Sequence, residues 1–494
     1  MGTFGEIAIG ARGQFEYSEE TAWGSPLAPT QRINFKTESM NNEIGNLLSE
    51  ALDPTRGTTN RVRGVSNISG DVAIELNTEG YEVLYKHAFG DALSITACDG
   101  GVRTRITTAF TTPGTTLTVE NTTNFKGAPT TGYALVAVYK GTDGLMTSTA
   151  ITYSAVAGPT SFTITDPLVN LPKGAWIFQT AATHWAAVYT HVIEVSKTLP
   201  AGLTLEVGRD VAFFVYSGCK VNTLENTYNS QEILQGTVGF VGKAEYSGGD
   251  LSADILAAAV TFTLKNYTLN GAGTQIVGFP LAGGTIQIGA ENGITYTAYT
   301  PSTGVFTGVS GITIAHKANE PIVGQIPWGT VVVPPTTKPL SSFQAAVYVT
   351  DETGALAVQE VLSGSWTLNN NLYTDKYQLG DRFRAGLPEQ QRTVEGLIHV
   401  EFDNLRLYHK FINGTSHRLE FRSVDDSETI NTSGNTVYRQ FHVLFSKIEF
   451  TGTTPQIGGP EMIEHDQNFT ALRDLDYNVN EVVAIFVNEQ NRGF

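Results

Sequence analysis

The chain has 494 residues, of which 48 are acidic and 31 basic, and this gives a formal net charge of −17. Such an acidic surface repels phosphate, so the charge excludes a nucleic-acid binder that is driven by counterion release. Cys98 and Cys219 are the only two cysteines, too few for a disulfide scaffold or a cysteine-based zinc site. The 41% hydrophobic content and the 51 glycines predict a globular protein of strands and turns, with about two to four domains at this length.

No targeting or membrane segment is visible in the sequence. Residues 1–10 lack the basic stretch and apolar core of a secretory signal. The longest apolar stretch, 255–264, contains threonines and is too short to cross a bilayer. We therefore expect a protein that is made in a cytoplasm and has no membrane anchor.

Alternating polarity predicts strands along most of the chain, for example over 71–76 and 236–241. Two segments show helical spacing instead, 78–89 and 403–412. We predict that one face of each helix packs on a sheet. The residues assigned to this helix-to-sheet core are Tyr81, Leu84, Tyr85, Leu405 and Tyr408.

The two predicted helices follow similar strands, which indicates an internal duplication. The strand over 70–76 precedes the first helix, and the strand over 396–402 precedes the second. Each helix then carries a Tyr-Lys-His or Tyr-His-Lys run, at 85–87 and 408–410. A strand-strand-helix unit that is used twice explains both similarities.

A second repeat lies elsewhere in the chain. An Ile-Thr-Tyr strand at 151–153 is followed by a Phe-Thr strand at 162–163, and the same order recurs at 294–296 and 306–307. These segments predict two copies of a small β-domain, inserted into a larger host domain.

The predicted boundaries assign 101–182 and 255–340 to the inserts and leave 1–100, 183–254 and 341–494 to the host, which has two similar halves. The inserts carry five and three basic residues against three and two acidic ones. The acidity therefore belongs wholly to the host.

With the inserts set aside, the chain resembles the tail tube protein family of long-tailed phages. The stretches that carry this resemblance are distributed over the host part, which is somewhat more than half of the chain, and follow the order of the family. They are 14–17, 21–30, 33–40, 49–53, 70–72 and 79–81, then 216–222 and 236–243, then 366–372, 395–396 and the helix that contains Tyr408. Both inserts lie outside this pattern.

The resemblance implies a mainly β fold, a β-sandwich or β-barrel with flanking short helices, here internally duplicated and with two added β-domains. It implies a structural virion protein, not an enzyme, that needs no cofactor or metal. Such subunits form stacked rings, commonly of six, around a lumen through which the genome passes into the host cell. A duplicated subunit fills six positions with three copies.

The partners implied are other copies of the chain and the tape measure, initiation and terminator proteins of the tail. Genomic DNA is expected to pass through without specific binding, because a lumen lined by carboxylates repels its phosphates. Assembly is expected in the host bacterial cytoplasm, and the final location is the virion tail. Inserts that project outward would collide with a sheath, which favours a non-contractile tail. The lumen-facing residues are not assigned, since strand register relative to the ring is unknown.

The loop over 47–64 is rich in arginine within an acidic host. We interpret it as a contact between rings or subunits that reaches an acidic patch on a neighbour; a solvated hairpin tip is the alternative. The residues assigned to this contact are Glu50, Asp53, Arg56, Arg61 and Arg63.

Two other functions are alternatives to the structural role in a tail tube. A carbohydrate-binding or adhesive β-protein would use Trp23, Trp185, Trp328 and Trp366 as sugar platforms, but these are scattered along the chain. A glycan hydrolase would need two convergent carboxylates. The adjacent pairs at 19–20 and 425–426 would point to opposite faces of a strand, and solvated loop positions explain them better. The group of Glu461, Glu464, His465 and Asp466 is better explained as a solvated acidic turn than as a metal site.

Overall fold

The computed structural model describes residues 10, 13–27, 29–49, 61–126, 132–166, 170–209, 213–246, 249–264, 279, 283–300, 303–325, 332–333, 337–350, 355–402, 405–430, 436–452, 454–455, 463–477 and 479–491. Strands dominate these residues, which contain only two short α-helices. The predicted mainly β fold is confirmed.

The chain begins with five strands of the largest sheet: β1 (Gln14–Glu19), β2 (Gln31–Arg32), β3 (Thr37–Glu38), β4 (Asn41–Leu48) and β5 (Arg61–Glu75). Helix α1 (Glu82–Phe89) follows, and the backbone of Gly90 ends it with φ of 112°. A left-handed residue after a helix is most often glycine, which has no Cβ to strain this conformation. Strand β6 (Gly90–Thr96) continues directly from this turn.

The next six strands form a sheet of their own: β7 (Cys98–Arg105), β8 (Thr116–Thr118), β9 (Ala134–Lys140), β10 (Met146–Gly158), β11 (Ser161–Asp166) and β12 (Trp176–Thr180). Their spatial order is β7-β12-β9-β10-β11-β8. The chain then returns to the large sheet with β13 (Tyr189–Val195), β14 (Leu203–Gly208), β15 (Phe213–Asn229), β16 (Gln235–Gly242) and β17 (Ala244–Tyr246).

Seven short strands follow: β18 (Gly249–Asp250), β19 (Thr261–Thr263), β20 (Gly284–Ile288), β21 (Glu291–Tyr296), β22 (Ala298–Thr300), β23 (Val305–Thr307) and β24 (Pro321–Gln325). Their pairings, β18-β24-β20-β21 and β19-β23-β22, repeat those of β7 to β12, with the long β10 replaced by two strands. The repeated Ile-Thr-Tyr pattern of the sequence therefore corresponds to a repeated strand order.

The last part of the chain starts with a 3-10 turn, Ser342–Gln344, and returns to the large sheet. Its elements are β25 (Ala345–Thr350), β26 (Leu356–Gln359), β27 (Ser363–Asn369), β28 (Thr393–Glu401), α2 (Arg406–Ile412), β29 (His417–Ile430), β30 (Val437–Gly452), β31 (Glu464–Ala471) and β32 (Val482–Asn488).

The large sheet contains the same series of antiparallel pairings twice. In the first half the series is β1-β14-β15-β16-β5-β4, and in the second it is β25-β29-β30-β31-β28-β27. Even an irregularity recurs, because the register of β14 on β15 shifts after Leu203 and that of β29 on β30 shifts after His417. We call residues 13–246 without β7–β12 the first half, and residues 345–488 the second half.

One continuous core fills both halves. It includes Phe15 and Tyr85 from the first half and Trp366 and Phe421 from the second, each no more than 1% exposed. A second cluster joins the β7–β12 sheet to the outer face of β30 and β32 through residues such as Phe178. The cluster also contains Ile95 of β6 and Val192 of β13, so the β7–β12 sheet packs on strands of both halves.

The two helices bury different parts of their surfaces. Tyr81, Leu84 and Tyr85 are all buried, at 3%, 1% and 0% exposure. Leu405 is 48% exposed, so its assignment to the core was wrong, and Tyr408 is only half-buried.

The physical reason is the rotation of α2 about its axis. Leu407 and Phe411, one turn apart, are the α2 residues that pack on the core. They lie 11 and 15 residues after Gly396, and Tyr81 and Tyr85 lie 11 and 15 residues after Gly70. The similar runs at 85–87 and 408–410 align Tyr85 with Tyr408, whereas the structure aligns Tyr85 with Phe411.

Candidate assembly surfaces

The β4–β5 hairpin carries the most exposed apolar patch of the large sheet. Leu47, Leu48 and Val62 are 63%, 61% and 57% exposed. Among the described residues β4 pairs only with β5, so the other edge of β4 is available for a further strand. The adjacent leucines follow mostly polar residues in β4, and this pattern could have identified the apolar patch from the sequence.

The charged residues assigned to this contact are only partly covered by the structure. Arg61 and Arg63 are exposed, and Arg61 donates a hydrogen bond of 2.7 Å from Nε to Asn46 Oδ1 across the hairpin. Glu50, Asp53 and Arg56 lie outside the described residues. The contact with a neighbouring acidic patch stays a prediction.

The two halves are connected by a pairing of β13 with β32 over six residue pairs, and they are joined edge to edge by β15 and β27. Seven residue pairs form this antiparallel joint, from Thr223 opposite Asn369 to Asn229 opposite Ser363. The amide of Asn370 then donates to the carbonyls of Ala88 and Val221, at 2.9 and 3.0 Å. These bonds attach the end of β27 to both the helix and the sheet of the first half.

A ring contact supports the same joint. The Trp366 indole, 0% exposed, lies with its ring centroid 6.4 Å from that of Phe89 in the first half and 5.8 Å from that of Phe445 in the second. Aromatic pairs in this edge-to-face geometry add to the free energy gained by burial. The joint therefore has the character of a protein core.

The linker that enters the second half is also docked on the first. Leu340, 1% exposed, donates from its backbone N–H to the Leu76 carbonyl at 2.7 Å and accepts from the Leu234 N–H at 2.9 Å. The sequence analysis did not identify Leu340. An apolar residue between a proline-rich stretch and a strand was the available signal.

A buried ion cluster connects the β7–β12 sheet to β29. Arg103 donates to Glu420 at 3.1 Å, and Arg422 donates to the same carboxylate at 2.7 Å. Burial opposes the charge of Glu420, but the guanidinium groups of Arg103, Arg422 and Arg418 lower its pKa to about 2. Arg418 also binds Glu120 of the β7–β12 segment at 2.7 Å. The attachment is thus electrostatic as well as apolar.

A buried carboxylate in the first half lacks such support. Glu206 on β14 lies opposite Glu16 on β1 and is 1% exposed. Glu16 binds Arg32 at 2.6 Å, whereas neither oxygen of Glu206 has a hydrogen-bond partner among the described residues. Burial and the nearby Glu16 raise the pKa of Glu206 to about 9. Glu206 is therefore protonated at neutral pH in the isolated subunit.

Glu464, His465 and Asp466 lie in strand β31 and do not form the predicted turn, and the two acidic residues flank His399 of the adjacent strand β28. His399 Nδ1 lies 2.6 Å from Asp466 Oδ1, and its Nε2 lies 3.0 Å from Glu464 Oε2. Within the described residues, no group of three or more His, Cys, Asp or Glu side chains is arranged to hold a metal ion. Glu461 lies outside the described residues.

The tryptophans considered as sugar platforms are not grouped. Trp185 and Trp366 are 1% and 0% exposed. Trp23 is half-buried, donates to the Gly218 carbonyl at 2.9 Å and is covered by the Lys243 ammonium, 4.9 Å from its ring centroid. Trp328 lies outside the described residues.

The adjacent carboxylate pairs lie in or next to β1 and β29, and Glu20 and Asp425 are only 6% and 4% exposed, so their interpretation as solvated loop positions was wrong. Glu19 binds Lys86 at 2.7 Å, while Glu20 faces the opposite side and accepts from Thr204 at 2.9 Å. Asp425 accepts from Gln344 at 2.7 Å. In these positions the carboxylates serve packing and strand attachment. In the described part of the chain, neither helix has the length and hydrophobicity that crossing a membrane requires.

Comparison with known proteins gave one family. The sequence model of the phage tail tube protein matches residues 10–291 and matches again over 249–471. The first match contains the first half and the second contains most of the second half, which agrees with the repeated strand order. No curated protein matches the chain.

Proposed function

The chain belongs to the phage tail tube protein family, and on that premise we propose that it assembles into stacked rings that form the hollow tail tube of a bacteriophage. The tube delivers the genome into the host cell. The observation that carries the proposal is the edge-to-edge joint of β15 and β27 between two similar halves. Each chain thereby supplies two successive positions of a ring, and three chains supply six.

Closure of such a ring requires that the same kind of joint form between chains. Open strand edges promote aggregation in a monomer but serve assembly when a neighbour completes the sheet. The open edge of β4 and the apolar patch of Leu47, Leu48 and Val62 suit this role. Residues 49–60 and the nearby Arg61 and Arg63 extend the contact to an acidic surface on the neighbouring ring or subunit.

The remaining features fit a conduit rather than a binding or catalytic protein. We assign 101–182 and 255–340 to inserted domains that decorate the outside of the tube, which favours a non-contractile tail. The acidic host lines the lumen, so duplex DNA passes without specific binding. The partners at the tube ends and inside it are the initiation, terminator and tape measure proteins.

The first test is negative-stain electron microscopy of the purified protein over a concentration series, with and without tail initiation components. We expect striated hollow tubes or discrete rings whose subunits are countable. Featureless monomers under both conditions would contradict the proposal and direct attention to glycan binding.

A second test addresses the hairpin. We expect the triple variant Leu47→Thr, Leu48→Thr, Val62→Thr to fold with an unchanged Tm and to form no tubes, because threonine keeps strand propensity and removes apolar contact area. The matched control is Leu256→Thr with Val260→Thr, which changes residues that are 78% and 66% exposed outside the host. Normal tubes from the hairpin variant would exclude this hairpin from the interface.

A further inference from the structure

The linker residue Leu340 occupies a defined position at the end of the first half. Leu76, at the end of β5, donates its N–H to the carbonyl of Leu234, which precedes β16, at 2.9 Å. Leu340 inserts beside this pair with one hydrogen bond to each residue. All three side chains are at most 1% exposed, so the linker closes the core at this point.

The second half has the same pair, and among the described residues no segment covers it as Leu340 covers the pair in the first half. Phe402 donates to the Ile463 carbonyl at 2.8 Å. In the first half Gly70 lies opposite Phe240, and in the second half Gly396 lies opposite Phe469. Leu76 and Phe402 each come six residues after their glycine. Leu234 and Ile463 each come six residues before their phenylalanine, so the two pairs correspond. Phe402 and Ile463 are only half-buried, whereas Leu76 and Leu234 are buried.

An open groove lies beside this pair, between β26 and α2. Its volume is about 500 Å³, and its lining includes Phe402, Leu407, Val361 and His465. Val361 and Leu407 are half-buried residues that pack on the main core. The groove therefore leaves core-packing residues partly exposed, beside polar side chains such as Glu401 and Arg406.

Strand register identifies the segment that corresponds to Leu340. Phe15 lies opposite Val207 on β14, and Val347 lies opposite Phe421 on β29. Strands β1 and β25 therefore occupy the same position in their halves. Ala8 lies seven residues before Phe15, and Leu340 lies seven residues before Val347. Ala8 stands within a short apolar run, Ile7-Ala8-Ile9.

We propose that residues 7–9 of a second copy of this chain bind in the groove between β26 and α2 and cover Phe402 and Ile463 as Leu340 covers Leu76 and Leu234. Within one chain, the segment that precedes the second half fills the groove of the first half. We accordingly expect the segment before the first half to bind in the second-half groove of the neighbouring chain in the ring. This inference rests on the proposed ring assembly and names the partner of one of its surfaces.

The test is disulfide cross-linking between two different variants. Ala8→Cys and Ile463→Cys subunits are mixed, assembled, oxidised and run on a non-reducing gel. Both native cysteines are buried, which limits background reaction. We expect a covalent dimer only when both variants are present. The matched control pairs Ala8→Cys with Leu256→Cys, whose position is more exposed but lies in the second insert.

The outcomes separate this inference from the ring proposal. Tubes that form without the cross-link overturn the inference and leave the tube intact. A cross-link that forms only within a chain carrying both cysteines also overturns it. If the wild-type protein forms no rings or tubes under any condition, both fail.

Truncation of residues 1–9 gives an independent readout if a cysteine variant disturbs assembly. We expect the truncated chain to keep the wild-type Tm and to require at least about tenfold more protein for assembly, which corresponds to about 1.4 kcal/mol per contact. Assembly at the wild-type concentration would overturn the inference.

Discussion

Arg103 on β7 and Glu420 on β29 form a buried ion pair of 3.1 Å between the β7–β12 sheet and the second half. Both side chains are almost fully buried, at 6% and 2% exposure. Replacement of Glu420 by Gln leaves Arg103 without its counter-charge, and we expect a loss of about 3–5 kcal/mol in the free energy of unfolding. Urea unfolding measures this. The control is Glu464→Gln, an exposed partner of His399, with an expected loss below about 1 kcal/mol.

The same carboxylate predicts part of the acid sensitivity. The pKa of Glu420 is lowered from 4.5 to about 2 in the folded chain. A lowered pKa contributes stability that is fully present above the unfolded value and is lost as the pH falls from about 4.5 towards 2. The wild type should therefore lose more stability than Glu420→Gln over this window. Parallel stability curves for the two proteins would contradict the prediction.

Glu206 predicts the opposite pH dependence. Its pKa is raised to about 9, so folding is increasingly penalised as the pH rises from about 4.5 to 9. Glu206→Gln keeps the shape and removes the charge, and we expect it to stabilise the subunit by about 1–3 kcal/mol at pH 8. At pH 4 the variant and the wild type should have similar Tm values. A gain of the same size at both pH values would exclude ionisation as the cause.

Gly396 is required by close packing rather than by an unusual backbone conformation. A Cβ at this position would lie 2.4 Å from the Phe469 ring and 2.5 Å from the Ser365 carbonyl oxygen. We expect Gly396→Ala to destabilise the subunit by about 1–3 kcal/mol. Gly452→Ala is the control, because its Cβ would meet no atom closer than 3.5 Å. Calorimetry of both variants should show a lower Tm for Gly396→Ala alone.

The rotation of α2 predicts which of two neighbouring residues matters for folding. Phe411 packs on the core, whereas Ile412 is 57% exposed. Phe411→Ala should cost about 2–4 kcal/mol, somewhat less than a fully buried phenylalanine, while Ile412→Ala should change stability by less than about 0.5 kcal/mol. Chemical unfolding of the monomer compares them. The reverse order would mean that the helix face was assigned wrongly.

Sequence patterns were informative where one face of an element is buried. The alternation over 71–76 marks a strand, and the glycine after Phe89 marks the end of a helix. The repeated Ile-Thr-Tyr runs marked a repeated sheet, because both tyrosines are core residues of their sheets. These signals are local and do not depend on the tertiary contacts of the segment.

The face of α2 was not predictable in the same way. Three of its seven residues, Leu407, Tyr408 and Phe411, are half-buried, and in so short a helix a rotation by one residue changes which of them faces the core. The contacts of Leu340 and Glu420 join parts of the chain that are far apart in sequence. Such pairs follow from strand register, which a single sequence specifies poorly.

The covalent linker at Leu340 changes the thermodynamics of the two kinds of joint. The joint between the halves of one chain forms at an effective concentration set by the linker, in the millimolar range for short connections. A matching joint between chains depends instead on the free subunit concentration. In the proposed ring, dilution therefore acts only on the joints between chains, and we expect a disassembling tube to release whole chains, each with its two positions still joined.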